Sequence, residues 1–140
     1  MVRFTSLPAP ELDETRHPDL TAGERNNLDL VLRAYDAITK DAESDLSPYY
    51  SDSYRDHASG VVPGDLDGFR AFLKGFRESF PDGEIVMDRV LADRAYVFVQ
   101  GRGRQQPNDE WSHTMELFRI ESDRIVEHWE VLEVVQGPKQ

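Results

Sequence analysis

The last third of the chain reads Glu110-Trp111-Ser112-His113-Thr114-Met115-Glu116-Leu117-Phe118-Arg119-Ile120-Glu121, then Ser122-Asp123, then Arg124-Ile125-Val126-Glu127-His128-Trp129-Glu130-Val131-Leu132. Two runs of strand-forming residues that meet at a two-residue polar turn predict a β-hairpin. Counting outward from that tip pairs Ile120 with Ile125, Phe118 with Glu127 and Glu116 with Trp129. Side chains alternate between faces, so Glu116, Phe118, Ile120, Ile125 and Trp129 are expected on one face. His113, Met115, Leu117, Arg119, Val126, His128 and Glu130 are then expected on the other. A carboxylate among large apolar groups is a way to build a general base or a polar hook inside a greasy pocket. The two faces carry comparable apolar content, so the residues alone leave open which of them looks inward.

Upstream, the period of two extends back to Glu84. Glu84 to Leu91 and Arg94 to Arg104 read as a first hairpin around Ala92-Asp93, and Gln105 to Asp109 as a polar loop. Before that the period is helical. Thr21-Ala22-Gly23-Glu24 has the form of a capping box, and Leu28, Val31, Leu32, Tyr35 and Ile38 make a one-sided stripe ending near Lys40. Ser47-Pro48 predicts a short helical turn over Tyr49 to Ser53, followed by an extended Tyr54-Arg55-Asp56-His57. Asp65 or Asp67 caps a further helix with Leu66, Phe69, Phe72, Leu73, Phe76 and Phe80 on its apolar face, stopped by Pro81-Asp82-Gly83. Helices followed by an antiparallel sheet give the α+β class. Residues 1–20, with Pro8, Pro10 and Pro18, read as a flexible arm, 21–135 as a single domain and 136–140 as a tail.

Composition narrows the partners. The chain has 140 residues, enough for one domain with its own core, of which 39% are hydrophobic and 31% charged. Its net charge is −11, and protonating all four histidines leaves it strongly negative. A nucleic acid would be repelled on average, and Arg102 with Arg104 is too small a basic patch to reverse that. There is no cysteine, which excludes disulfides, thiolate nucleophiles and cysteine metal sites. The first residues do not form a signal peptide, and no apolar run approaches the ~18 residues of a membrane span. A cytoplasmic location is expected. Gly101-Arg102-Gly103 lacks the further glycine and the helix of a dinucleotide site.

Taken together, the order of elements and three local motifs resemble the SnoaL-like polyketide cyclase branch of the nuclear-transport-factor-2-like superfamily. The motifs are Tyr54-Arg55-Asp56-His57, Glu116-Leu117-Phe118-Arg119 and Ile125-Val126-Glu127-His128-Trp129-Glu130-Val131-Leu132. The resemblance implies a cone-shaped α+β barrel, three helices wrapping a curved sheet around a deep pocket. It also implies an acid/base pair working without metal or organic cofactor, the acidic member standing at Glu116. Here the family's usual aspartate is a glutamate. Gln100 matches a family glutamine, while Arg102 stands where the family has histidine. The resemblance also settles the choice of face, turning Glu116 and Trp129 inward.

On this reading Glu116 is a general base, or else a structural partner of Arg102; Arg102 could equally stabilise a developing enolate. His57 is a pocket donor or a loop histidine bonded to backbone. Gln100, Tyr50, Tyr54, Phe72, Phe118 and Trp129 are candidate substrate contacts. No metal site is expected, because His113 and Glu116 are three apart on a strand and diverge. The outer sheet face suits a homodimer. The expected function is a cofactor-independent cyclase or isomerase acting on a hydrophobic carbonyl-bearing small molecule. The alternatives are a non-catalytic binding or dimerisation module, and water addition to an epoxide.

Overall fold

The structure, a computed structural model, describes residues 19–133; the expected tail and nearly all of the expected N-terminal arm lie outside them. Helix α1 (Ala22–Lys40) starts where the capping box puts it, with Thr21 Oγ1 accepting from the Glu24 amide at 3.2 Å and Glu24 accepting from the Thr21 amide at 3.0 Å. Its stripe Leu28, Val31, Ala34 and Tyr35 is buried. Helix α2 (Leu66–Ser79) is capped by Asp65, whose carboxylate accepts from the Gly68 amide. The end of α1 is tied to α2 by Arg77, which donates to the carbonyls of Ile38 (3.2 Å) and Thr39 (2.8 Å), satisfying acceptors that the last helical turn leaves open.

Two helices are described rather than the three expected. Ser47 to Tyr49 is only a turn, and Tyr50 already begins strand β1 (Tyr50–Asp56). A helical start is overridden there because the Tyr49 carbonyl accepts from the Ile125 amide at 2.8 Å, drawing the backbone into the sheet. Strand β1 lies between the helices in sequence and pairs in parallel with β5 (Arg124–Leu132). The rest of the sheet is antiparallel, β2 (Glu84–Asp93), β3 (Tyr96–Arg104) and β4 (Ser112–Glu121), giving the order β1-β5-β4-β3-β2.

The first hairpin turns at Arg94-Ala95, two residues beyond the expected Ala92-Asp93. Contacts with α1 place it: Glu24 accepts from the Arg94 amide and Asn27 donates to the Arg94 carbonyl, both at 3.0 Å, while Arg94 takes a φ of 54°. The second hairpin turns at Ser122-Asp123, as expected, with φ of 51° and 60°, the left-handed pair of a type I′ turn.

The pairing beyond that turn departs from simple counting. Ile120 stands opposite Ile125, but Arg119 stands opposite Glu127, so Val126 is an extra residue, a β-bulge. Every later residue of β5 therefore faces the other way. Phe118 is opposite His128, Leu117 opposite Trp129 and Glu116 opposite Glu130. Glu116, Phe118, His128 and Glu130 share the inner face, and Trp129 lies on the outer one. The core, with Val97, Val99, Phe118, Ile120 and Ile125 from the sheet, packs against Leu28, Val31 and Tyr35 of α1.

Candidate active site

Between the two helices and the inner sheet face lies a hollow of about 780 Å³. Its walls are largely aromatic: Tyr35 from α1, Tyr50 and Tyr54 from β1, Phe69, Phe72 and Phe76 from α2, and Phe118 from β4. Among the ionisable side chains that line it from the sheet are Asp56 of β1, Glu116 of β4, and His128 and Glu130 of β5. They converge because β1 and β5 pair in parallel with Asp56 opposite His128, while β4 sets Glu116 opposite Glu130.

These groups form one hydrogen-bonded chain. The Tyr54 hydroxyl donates to Asp56, which also accepts from the Ala58 amide at 2.8 Å. His128 Nδ1 lies 3.2 Å from both Asp56 oxygens, and its Nε2 lies 3.0 Å from Glu116 Oε1. The other Glu116 oxygen accepts from the Tyr35 hydroxyl. His128, a residue 5% exposed, stacks its ring against Phe118 with centroids 4.6 Å apart.

The electrostatics follow from this geometry. Burial works to lower the His128 pKa, but its bonds to Asp56 and Glu116 outweigh that and raise it to about 9, so the ring is an imidazolium at neutral pH. Burial works to raise Asp56, and His128, Tyr54 and the Ala58 amide more than offset it, holding its carboxyl low. Burial, and then Glu116, push the Tyr35 hydroxyl well up, and Tyr50 and Tyr54 rise mainly through burial. Glu130 is raised to about 7, first by burial and then by the like charge of Glu116. The hollow thus holds a charged histidine between two carboxylates, beside a third carboxyl that exchanges its proton near neutral pH.

Of the expected site residues, Glu116, Tyr50, Tyr54, Phe72 and Phe118 line the hollow. Arg102 lines it too, but its Nε donates to Asp88 at 3.1 Å and its guanidinium lies 4.5 Å from the centre of the Trp111 ring. It makes no ion pair with Glu116 among the described residues, because it alternates with Gly101 and Gly103 and so follows the outer face. Gln100 shares that outer face and accepts from Arg89 at 2.9 Å. His57 and Trp129 are also outside, their rings stacked 5.1 Å apart, with His57 Nε2 2.6 Å from Glu127. The Val126 bulge is the physical reason that Trp129 and His128 exchange places.

Sequence reasoning missed Tyr35, Asp56, His128 and Glu130. One signal for Asp56 was available: Tyr50, Tyr54 and Asp56 are spaced by even numbers, the period of a strand. His128 and Glu130 also share a face by that period, but the bulge that turns the face inward has no signature in the residues. Glu116, His128 and Glu130 bring polar atoms within 4.8 Å of one another, but both His128 nitrogens are engaged by carboxylates, so the histidine has no lone pair left for a metal ion.

Residues 31–128 match the family described as SnoaL-like domain. No curated protein matches the chain. Among solved structures, IdmH from Streptomyces antibioticus, named a candidate polyketide cyclase, is 20% identical, with a TM-score of 0.65 over 76% of this chain and 91% of that one. A SnoaL-like polyketide cyclase from Agrobacterium tumefaciens is 17% identical, with a TM-score of 0.65 over 76% and 90%. Bal32a, from a soil-derived mobile gene cassette, is 14% identical, with a TM-score of 0.67 over 79% and 91%. At these identities the likeness speaks for the fold.

Proposed function

The chain belongs to the SnoaL-like domain family, in the nuclear-transport-factor-2-like superfamily, and we propose that it is a cofactor-independent cyclase or isomerase acting on a hydrophobic, carbonyl-bearing small molecule. The observation that carries this reading is the floor of the hollow: Glu116 and Glu130 side by side, with His128 charged between Glu116 and Asp56, inside walls that carry seven tyrosine and phenylalanine rings. Aromatic walls exclude water and hold a flat apolar body, while a carboxylate removes a proton from carbon next to a carbonyl. Electrons from the broken C–H bond move onto the carbonyl oxygen as an enolate. The Tyr50 hydroxyl, which makes no hydrogen bond among the described residues and opens on the hollow, is a donor for that oxygen. Return of the proton at a second carbon completes an isomerisation, and attack of the enolate on a second carbonyl completes an aldol-type cyclisation.

Water addition to an epoxide would call for an arginine bridging two carboxylates, whereas Arg102 bonds Asp88 and makes no ion pair with Glu116 among the described residues. The proposal retains a homodimer across the outer sheet face, where Leu91, Met115 and Val131 are exposed in neighbouring rows. No helix among the described residues is long and apolar enough to cross a membrane.

The test is exchange of the α-protons of 2-tetralone in deuterated buffer, followed by proton NMR. The protein is expected to accelerate exchange over buffer by at least about 100-fold, the scale of acid–base catalysis. Exchange no faster than in buffer, for 2-tetralone and for a set of related bicyclic and tricyclic ketones, would overturn the enzymatic reading and leave a binding module.

A further inference from the structure

Resting on that reading, we propose that Glu130 is the catalytic residue that takes up and returns the substrate proton, and that Asp56 is a positioning residue that reserves this task for Glu130 by keeping His128 doubly protonated against Glu116. The argument is one of counting donors and acceptors. Glu116 has both oxygens occupied, one by His128 Nε2 at 3.0 Å and the other by the Tyr35 hydroxyl. Those two donors leave Glu116 fewer lone-pair sites open to the hollow than Glu130, which accepts no hydrogen bond among the described residues. Glu116 is therefore the held member of the pair, its carboxylate oriented by two donors.

The histidine is equally constrained. Its two nitrogens point at two carboxylates, Asp56 and Glu116. A neutral imidazole has one N–H, so one nitrogen would set its lone pair against a carboxylate oxygen; only the imidazolium satisfies both ends. Asp56 holds the far end, and is itself fixed by the Tyr54 hydroxyl and the Ala58 amide. His128 consequently has no free N–H for a substrate and acts through Glu116.

Glu130 differs from all of these. It accepts no hydrogen bond among the described residues, lines the hollow, and stands opposite Glu116. The groups that set its charge are Glu116 on β4, His128 on its own strand, Asp56 on β1 and Tyr35 on α1. Burial and the neighbouring anion make it hold a proton that it releases near neutrality, which is the requirement for a group that must both accept and return one. In the step itself the substrate C–H bond breaks, the proton passes to a Glu130 oxygen and the electron pair passes to the substrate carbonyl. The same proton then goes to a second substrate atom, and no oxidant or reductant is consumed.

The experiment uses protein labelled with ¹³C-glutamate and ¹⁵N-histidine, titrated from pH 4 to pH 9 by NMR without ligand. The expected result is one inner carboxyl that titrates near pH 7 and disappears in Glu130→Gln, while both His128 nitrogens stay protonated at neutral pH. Asp56→Asn should return His128 to a single ring proton at neutral pH, an effect that a merely structural role for Asp56 would not produce. A near-neutral titration that survives Glu130→Gln, or a His128 ring neutral at pH 7 in the wild type, overturns the assignment. Should Asp56→Asn fail to fold, the Glu130→Gln comparison decides alone, since the Glu130 side chain accepts no hydrogen bond among the described residues. Ketone exchange separates this proposal from the function beneath it. Exchange by the wild type that persists in Glu130→Gln and is lost in Glu116→Gln overturns the role of Glu130 and leaves acid–base function standing. No exchange by the wild type overturns the function itself.

Discussion

Asp56, the last residue of β1, and His128 of β5 are joined twice: their backbones are in register in the parallel pairing, and Nδ1 of the histidine lies 3.2 Å from each oxygen of the aspartate. The edge strand is thus tied to the sheet by a buried charge pair at the point where the hollow has its most polar wall. Removing either partner alone would leave the other charge buried without compensation.

Stability should therefore fall as pH rises through the His128 pKa of about 9. The His128 pKa is raised from 6.5 to about 9 on folding, so its contribution is fully present below pH 6.5 and is lost as pH rises through about 9. The size of that loss is on the order of 3 kcal/mol. Glu130 works in the same direction, since its folded pKa of about 7 exceeds the ordinary 4.5 and the folded state gives up stability as pH rises between those values. Asp56, held low, contributes stability above its unfolded pKa that is lost only as pH falls through its folded value. Urea unfolding at about pH 6 and about pH 9.5 measures this; equal free energies at the two pH values would refute the charged state assigned to His128.

Glu130→Gln should stabilise the protein above pH 7 and change little at pH 5. Above about 7 the wild type carries the ionised carboxylate beside Glu116, and an amide of the same shape removes that repulsion. A gain of about 1 kcal/mol, or roughly 3 °C in Tm for a domain of this size, is expected at pH 8. A variant that is less stable at pH 8 would show that Glu130 has a partner the geometry does not reveal.

The sequence carried the class of the fold through features that are local. The capping box at Thr21, the I′ turn at Ser122-Asp123 and the apolar stripes of both helices each depend on residues a few positions apart, and each is legible for that reason. What failed depends on distant contacts. Tyr49 to Ser53 leaves its helical start because β5 captures the Tyr49 carbonyl, and the first hairpin tip moves because α1 grips Arg94. The site suffered most, since one bulged residue, Val126, reverses the face of everything after it. Glu116 and Phe118, on the unbulged strand, were placed on the correct side, whereas Trp129 and His128, beyond the bulge, were exchanged.

The approach of α2 to the loop before it should tolerate no side chain at Gly68. A Cβ there would lie 1.7 Å from the Pro63 carbonyl oxygen, a backbone atom that cannot swing aside. Gly68→Ala is expected to cost more than about 3 kcal/mol, in the range of severe overpacking. Gly75, in the middle of the same helix, has nothing within 4 Å of such a Cβ. Gly75→Ala should therefore raise stability by roughly 0.5–1 kcal/mol through helix propensity alone. Thermal denaturation of the two variants side by side checks both, and similar behaviour of the pair would contradict the close contact.

The register of β5 can be read from ligand binding, because it places Trp129 outside the hollow, whereas Phe72 of α2 stands on its wall. With 2-naphthol as a probe of the cavity, Phe72→Ala removes a wall ring and should weaken binding about 5- to 10-fold, the equivalent of about 1–1.4 kcal/mol of lost apolar contact. Trp129→Ala removes a ring that stacks on His57 at the outer surface, so the Kd for the probe should change by less than about twofold. Its effect should appear instead in the His57 ring resonances, which lose their neighbour at 5.1 Å. Were Trp129→Ala to weaken the probe as much as Phe72→Ala does, the bulge at Val126 would be wrong, and with it the inward position of His128 and Glu130.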